Sequence, residues 1–452
     1  MSADRWEARC RTAGFGEADA RSRAALVGQA AAAFTASTGR EPHWAWFVPG
    51  RIEIVGKHTD YAGGRSLVAA VPRGFAVVAG PRTDDVVAVT DARWRDAVQV
   101  DLRGPARRYK GWANYVGVVA GRLALNFPGA VLGADIAVAS DLPRAAGLSS
   151  SSAFVVGLSL ALIRRARLEA RDDWRRAIGS PLDLAGYLGA VENGLTFGPL
   201  ANASGVGTHG GSEDHTAILT STADRVAAFA YVPVRHAGDA AMPDDWRFSV
   251  LTSGVHADKA GSVRGQYNRA SLATRALAAL WTAHTGEAVT LGAALQVPGA
   301  EPVLRSLLAP AGCEDFSAAE LDRRLTHFIH EDGRVPRMLD AFRAADTAAL
   351  GRLAESSQTE AEQLLANQVP ETIRLAALAR EAGAFSASSF GAGFGGSVWA
   401  LMPAADAAAI TADWRARFEA EFPASRPVDG FITRPGPRAV DLSDDATTAV
   451  QG

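Results

Sequence analysis

Between Pro49 and Gly64 the chain reads Pro-Gly-Arg-Ile-Glu-Ile-Val-Gly-Lys-His-Thr-Asp-Tyr-Ala-Gly-Gly, a dense run of charged and hydrogen-bonding side chains. Ile52, Ile54 and Val55 predict a strand that ends at Gly56 and delivers Lys57, His58 and Asp60 onto a turn closed by Gly63 and Gly64. Arg51 ahead of them, and the Asp60 carboxylate among hydrogen-bonding neighbours, suit a small polyhydroxylated ligand. A site built to bond hydroxyls rejects analogues that lack them.

A second stretch runs from a strand candidate at 134–140 into Leu142-Pro-Arg-Ala-Ala-Gly-Leu-Ser-Ser-Ser-Ser-Ala and then an apolar helix. Strand, tight loop and serine-rich helix start aim backbone N–H groups and a helix dipole at phosphate oxygens, so a nucleotide phosphate is the expected ligand. No Lys follows the loop and the spacing differs from Walker A, which excludes a P-loop NTPase. A plain serine-rich helix cap is the competing reading. In the third stretch, Ser388 to Leu401, Gly391, Gly393 and Gly396 satisfy G-x-G-x-x-G, yet Ser397-Val-Trp-Ala-Leu-Met continues as a strand where a dinucleotide fingerprint must open a helix. Taken alone it would be a glycine hairpin. A fourth stretch, Gly205-Val-Gly-Thr-His-Gly-Gly-Ser-Glu-Asp-His, brings two carboxylates and two imidazoles together.

The first stretch closely resembles the sugar-binding signature of galactokinases, within the GHMP small-molecule kinases, and the second and third are similar to the GHMP phosphate loop and glycine-rich third motif. The resemblance runs from about residue 45 to 400. It implies an α+β, two-domain GHMP fold: an N-terminal domain of the ribosomal protein S5 domain 2 type over 1–240, and a ferredoxin-like C-terminal domain over 241–452. The implied reaction is ATP-dependent phosphorylation of a sugar at its anomeric hydroxyl, by direct transfer with Mg2+ and no covalent enzyme intermediate.

Residue by residue, Asp214 matches the galactokinase base, with Glu213 as a competing carboxylate. Arg51 lies by resemblance near that base and the phosphoryl oxygens, where its charge favours the aspartate anion and the transition state. His58, Asp60, Gly211 and Tyr267 carry over as sugar contacts. Gly147, Leu148, Ser149, Ser150 and Ser151 form the phosphate loop, and Trp112 and Tyr115 carry over as adenine-packing residues, although their helical spacing fits a core equally well. Glu192 and Ser151, with Ser150 as alternative, are the expected Mg2+ ligands. Without the resemblance, Glu192 reads as a solvated helix residue. His209 and His215 receive no catalytic role. Ala145 and Ala146 stand where glycines are usual, and a Cβ there narrows the approach of the phosphates.

Lys57 replaces the usual Glu, and Glu53 the usual Asn. By resemblance that Glu accepts a hydrogen bond from the C6 hydroxyl, and an ammonium has no acceptor. Two expectations follow: Lys57 pairs with the carboxylate of a uronic acid such as galacturonate or glucuronate, or Lys57 and Glu53 neutralise each other and the substrate is galactose or a related neutral hexose. A non-catalytic sugar and ATP sensor is the alternative from another class.

The elements that must position these residues are mixed α and β. Runs at 75–79 and 86–90 predict strands, and 112–125 and 151–168 predict helices. Residues 1–33 read as charged, alanine-rich helix, 236–246 as a loop, and 268–284, 338–354 and 357–382 as helices. Strands return around 384–402. Residues from Pro435 onward read as frayed, with Asp441 and Leu442 as a short edge segment. The 452 residues are 48% hydrophobic, enough for sizeable cores. A net charge of -3, from 46 basic and 49 acidic residues, favours neither nucleic acid nor an anionic membrane, and the Arg107, Arg108, Lys110 cluster reads as a solvated loop. Cys10 and Cys313 have no disulfide or metal spacing, which fits a reducing cytoplasm. No signal-peptide core opens the chain, and its longest apolar run, 153–163, is too short to cross a bilayer. The expected partner is a small-molecule sugar, with monomer and homodimer both open.

Overall fold

A computed structural model describes residues 3–93, 96–104, 107–143, 146–256, 264–308, 315–425 and 428–443. Strand β1 (Trp44–Val55) is buried along all 12 of its residues, because each of its faces meets a different core. Trp44, Trp46 and Val48 pack beneath the helices Ala113–Asn126, Ser150–Ala166 and Pro181–Asn193. Ala45 and Phe47, alternating with them, face the N-terminal helices Ala3–Thr12 and Glu17–Thr38.

Next along the chain come β2 (Arg65–Pro81), β3 (Val86–Asp91), β4 (Asp96–Asp101), β5 (Ala134–Ser140), β6 (Arg225–Ala230) and β7 (Arg235–Ala241). A second sheet uses β8 (Trp246–Thr252), β9 (Ser386–Ser389), β10 (Ser397–Pro403) and β11 (Gly430–Thr433), after which β12 (Val440–Asp441) returns to the first. The first sheet has the order β12-β1-β2-β5-β3-β4, with β6 on β2 and β7 on β6, and among the described residues only β3 and β5 pair in parallel. The second sheet is antiparallel in the order β11-β8-β10-β9. In chain order that is fourth, first, third and second, the ferredoxin-like arrangement.

At Gly50 the register between β1 and β2 shifts. Beyond it, Ile52 and Ile54 enter a third core with Phe248 and Val250 of β8 and Trp399 and Leu401 of β10. One strand therefore serves both sheets. The connection from β8 to β9 is a set of helices, of which Arg264–Thr285 and Ala318–Arg343 close over the 58–62 turn through Ala62, Leu277, Leu325 and Phe328.

Most expected elements are present, with corrections. The 236–246 loop is largely β7, which forms a hairpin with β6. The helix expected over 338–354 is broken at Ala345, whose φ of 50° ends one helix before Thr347–Glu360 begins, and 357–382 is broken before Pro370. Residues 435–443 are ordered against the sheet, including the expected edge segment. Ala145 and Cys313 lie outside the described residues. Among the described residues no helix is long and apolar enough to cross a membrane.

If the second half of β1 is core to both sheets, Ile54→Ala should cost about 2–5 kcal/mol by leaving a cavity. Urea unfolding measures this directly, and a loss below about 1 kcal/mol would show that the contact is not a packed core.

Candidate active site

The bulge at Gly50 lets the chain approach the phosphate loop: a Cβ there would stand 2.7 Å from the Leu148 carbonyl oxygen, and the Arg51 amide donates to that same oxygen at 3.3 Å. Arg51 and Glu53, two residues apart on a strand, then share the face that looks into a cavity. The Arg51 guanidinium is buried. Its Nη2 lies 2.7 Å from Asp214 Oδ1 and 3.6 Å from Glu53 Oε2, its Nε 3.2 Å from Glu213 Oε1, and its Nη1 donates to the Gly147 carbonyl at 2.6 Å. Burial alone would lower its pKa, but the charges of Asp214, Glu213 and Glu53 prevail and raise it.

Three carboxylates around one cation cannot all be neutralised by it. Burial, reinforced for Glu213 by the neighbouring Glu53, pushes Glu213 well above the carboxylate range, and burial raises Glu53 too against the pull of Arg51. Asp214 lies in the first turn of the helix Glu213–Thr220 and is less enclosed than Glu213, with a side chain 19% exposed against 7%. Its second oxygen accepts from Ser152 Oγ at 3.2 Å, and the same hydroxyl lies 2.9 Å from Glu192 Oε2. Glu192 is buried at the end of Pro181–Asn193 with His215 Nε2 2.9 Å away, so it is not the solvated helix residue that composition alone suggests.

The opposite wall is the 58–62 turn. His58 takes φ 60°, a strained value for a side-chain-bearing residue, and is held there by Arg324 donating to its carbonyl and by Tyr61 OH at 2.7 Å from its Nδ1. Asp60 accepts from the Tyr61 and Glu213 amides, at 2.8 and 3.1 Å, and abuts Gly211. Tyr267, on Arg264–Thr285, faces His58 with ring centroids 5.1 Å apart. Burial, then the charges of Asp60 and Asp214, raise its phenol well above the usual range.

The cavity thus brings together Arg51, His58, Asp60, Tyr115, Ser151, Glu192, Gly211, Asp214 and Tyr267, all singled out from sequence. Ser149 caps the helix Ser150–Ala166 with φ 59°, and its buried hydroxyl has no partner among the described residues. Trp112 is half-buried, donates from Nε1 to Asp96 at 2.9 Å and meets Phe154 edge-on, as does Tyr115. Ser152, the last of the four serines, was not singled out. Helical spacing alone does not say which serine of such a run faces Glu192.

Lys57 requires a correction, because it does not line the cavity. It is fully buried on the other side of the strand end, where Nζ donates to Ser357 Oγ at 2.9 Å and Ser388 Oγ at 2.6 Å. Ser357 donates in turn to Glu331 Oε1 at 2.8 Å, and Glu331 Oε2 accepts from Arg334 at 2.7 Å. Burial lowers the Lys57 pKa against the opposing pull of Glu331 and then Glu53. For Glu331, burial is overcome by Lys57 and Arg334, and its pKa falls. The main counter-charge of Lys57 is therefore Glu331, with no sugar carboxylate required.

Three family models match parts of the chain: the galactokinase galactose-binding signature over 32–81, the GHMP kinases N terminal domain over 114–188, and GHMP kinases C terminal over 338–420. A galactokinase of Chloroflexus aurantiacus is 30% identical over 378 residues, spanning 82% of this chain and 87% of that protein. The chain belongs to the galactokinase family. It is a kinase, transferring phosphoryl groups to an alcohol acceptor. A Streptomyces coelicolor galactokinase is also 30% identical, over 86% of this chain and 92% of its own length. The crystal structure of Lactococcus lactis galactokinase complexed with galactose superposes with a TM-score of 0.74 at 21% identity, covering 92% of this chain and 99% of that one, which shows a common fold.

Glu331→Gln should destabilise the protein by about 3–5 kcal/mol, since it leaves the buried Lys57 without its main counter-charge, Lys57→Met should cost less because Glu331 keeps Arg334, and the double variant should lose less than the sum. Glu331 contributes stability that is present above its ordinary value of 4.5 and lost as pH falls through its lower folded value, so Glu331→Gln should flatten the acid limb of a stability profile. Additive losses in denaturant titrations would refute the coupling.

Proposed function

We propose that this chain phosphorylates the anomeric hydroxyl of galactose or a closely related neutral hexose with ATP and Mg2+. The observation that carries this reading is the contact of Asp214 with both Arg51 and Ser152 inside a cavity whose other wall is His58 and Asp60. His58, Asp60 and Tyr267 supply donors and acceptors for ring hydroxyls, a set suited to holding the acceptor in one orientation.

Asp214 is the group assigned to take the proton of that hydroxyl as its oxygen attacks. Arg51 holds a fixed charge at the carboxylate and within reach of developing negative charge on the transferred phosphoryl. Glu213 is the weaker candidate: its pKa is pushed up by burial and by Glu53, and it is the more enclosed carboxylate. Hard oxygen donors fit Mg2+, and Ser152 and Glu192, or Ser151 in place of Ser152, would hold it. When bound, the ion would neutralise charge on the phosphates. The unpaired Ser149 hydroxyl and the amides opening Ser150–Ala166 suit phosphate oxygens, and Trp112 and Tyr115 offer faces to adenine.

Asp214→Asn should lower turnover about 10^2 to 10^4-fold while sugar binding survives. Coupled ADP release alongside titration calorimetry checks this, and an unchanged rate in a folded variant would remove Asp214 from its role. Wild-type binding without ADP release would instead identify a sensor. Trp112→Ala should raise KM for ATP more than KM for sugar in steady-state kinetics. Equal effects, or a large fall in melting temperature, would assign Trp112 to packing against Phe154.

A further inference from the structure

Where galactokinases usually carry Asn, this chain carries Glu53, and its carboxylate lines the cavity. Glu53 is only 3% exposed. Its Oε2 accepts from the Gly391 amide at 3.2 Å, while Oε1 is buried with no hydrogen-bond partner among the described residues. Such an acceptor is costly unless something pairs with it. The third glycine loop lies against it so closely that a Cβ on Gly391 would stand 2.4 Å from Oε1. Gly391 has no side chain to supply the missing donor, and Glu53 belongs to the cavity lining, where a ligand hydroxyl can.

We propose that Glu53 is a specificity-determining residue, accepting a hydrogen bond from a hydroxyl of the bound sugar through its orphaned Oε1. This rests on the sugar-kinase reading above. The charge of the lining agrees: among the described residues, Glu53, Asp60, Glu192, Glu213 and Asp214 face the cavity with Arg51 as the one guanidinium, while Lys57 is turned away. A uronate would add an anion to that lining with no ammonium to meet it, whereas a neutral sugar brings the donors that buried carboxylate oxygens lack.

The test uses the full chain as wild type, Glu53→Gln and Glu53→Asn, the last being shorter by one methylene and the usual residue of the signature. Neutral aldohexoses and galacturonate are titrated by calorimetry, followed by the four monodeoxy forms of the neutral sugar bound best, with ADP release measured in parallel. The wild type should lose about 10- to 100-fold in affinity for one deoxy sugar, as expected for a lost bond to a charged group. In Glu53→Asn that one penalty should shrink toward unity while those for the other deoxy sugars persist, and Glu53→Gln should relax the exclusion of galacturonate. Deoxy penalties unchanged in both variants, or affinity lost equally for every sugar, would overturn the inference and leave Glu53 as a support for Arg51 and Gly391. So would a wild type that prefers galacturonate to every neutral hexose. Binding that follows Glu53 without ADP release would overturn the kinase reading and leave this one standing.

Discussion

A guanidinium shut away from water must be met by anions, and Arg51 is the point at which that requirement organises this protein. Its three carboxylate neighbours come from two places, Glu53 on the same strand and Glu213 with Asp214 on a short helix far along the chain. It also donates to the Gly147 carbonyl and lies over the Phe390 ring at 5.9 Å. Through one side chain the sugar signature, the phosphate loop, the carboxylate helix and the glycine-rich loop are fixed to a common origin. Carboxylates outnumber cations there, and a buried carboxylate left without a counter-charge is stable only when protonated or supplied with donors.

A second polar cluster lies behind the first, built on Lys57, Glu331, Arg334, Ser357 and Ser388. It bears on positions 53 and 57, the two at which this chain reads differently from the galactokinase signature it resembles. An acidic residue has gone from position 57 and one has appeared at 53, so a carboxylate remains within the motif while the ammonium is absorbed by a helix of the other half of the chain. The Glu331 carboxylate also accepts from the Gly56 and Lys57 amides, at 2.9 and 3.1 Å. The turn carrying His58 and Asp60 is thus anchored from beneath, independently of any ligand.

Patterns local in sequence were legible. The alternation of Ile52 and Ile54, the serine run ahead of an apolar helix, and the glycine loop running into a strand each correspond to an observed element. The residues of the cavity were recognised because motif order carried them. The direction of Lys57 was not legible, and the reason is geometric: a second register shift lies between Glu53 and Val55, and Gly56 takes φ 110°. Alternation read from Arg51 and Glu53 would put Lys57 on the cavity face, but an irregularity of one residue reverses every side chain beyond it. Ser152 escaped for a related reason, since a homogeneous run gives no phase. The hairpin of β6 and β7 was hidden by its composition, because His236, Gly238 and Asp239 look like loop residues yet pair with β6, across a register shift between Ala228 and Phe229.

The strand that bears Arg51 begins in the cores of the first sheet and ends in the core it shares with the second. A wall that belongs to both cannot swing as a hinge without unpacking one of them, and interiors packed at crystal-like density resist that. Domain closure of the kind that clamps many substrates is therefore costly along this seam. Even the glycine loop beside the cavity, Gly393 to Gly396, four consecutive residues with φ between 58° and 119°, is tied down: the amides of Gly393, Phe394 and Gly396 donate to the carbonyls of Phe390, Asn367 and Val255. The active site is in that sense a rigid cup, held in shape by the cores on either side of it.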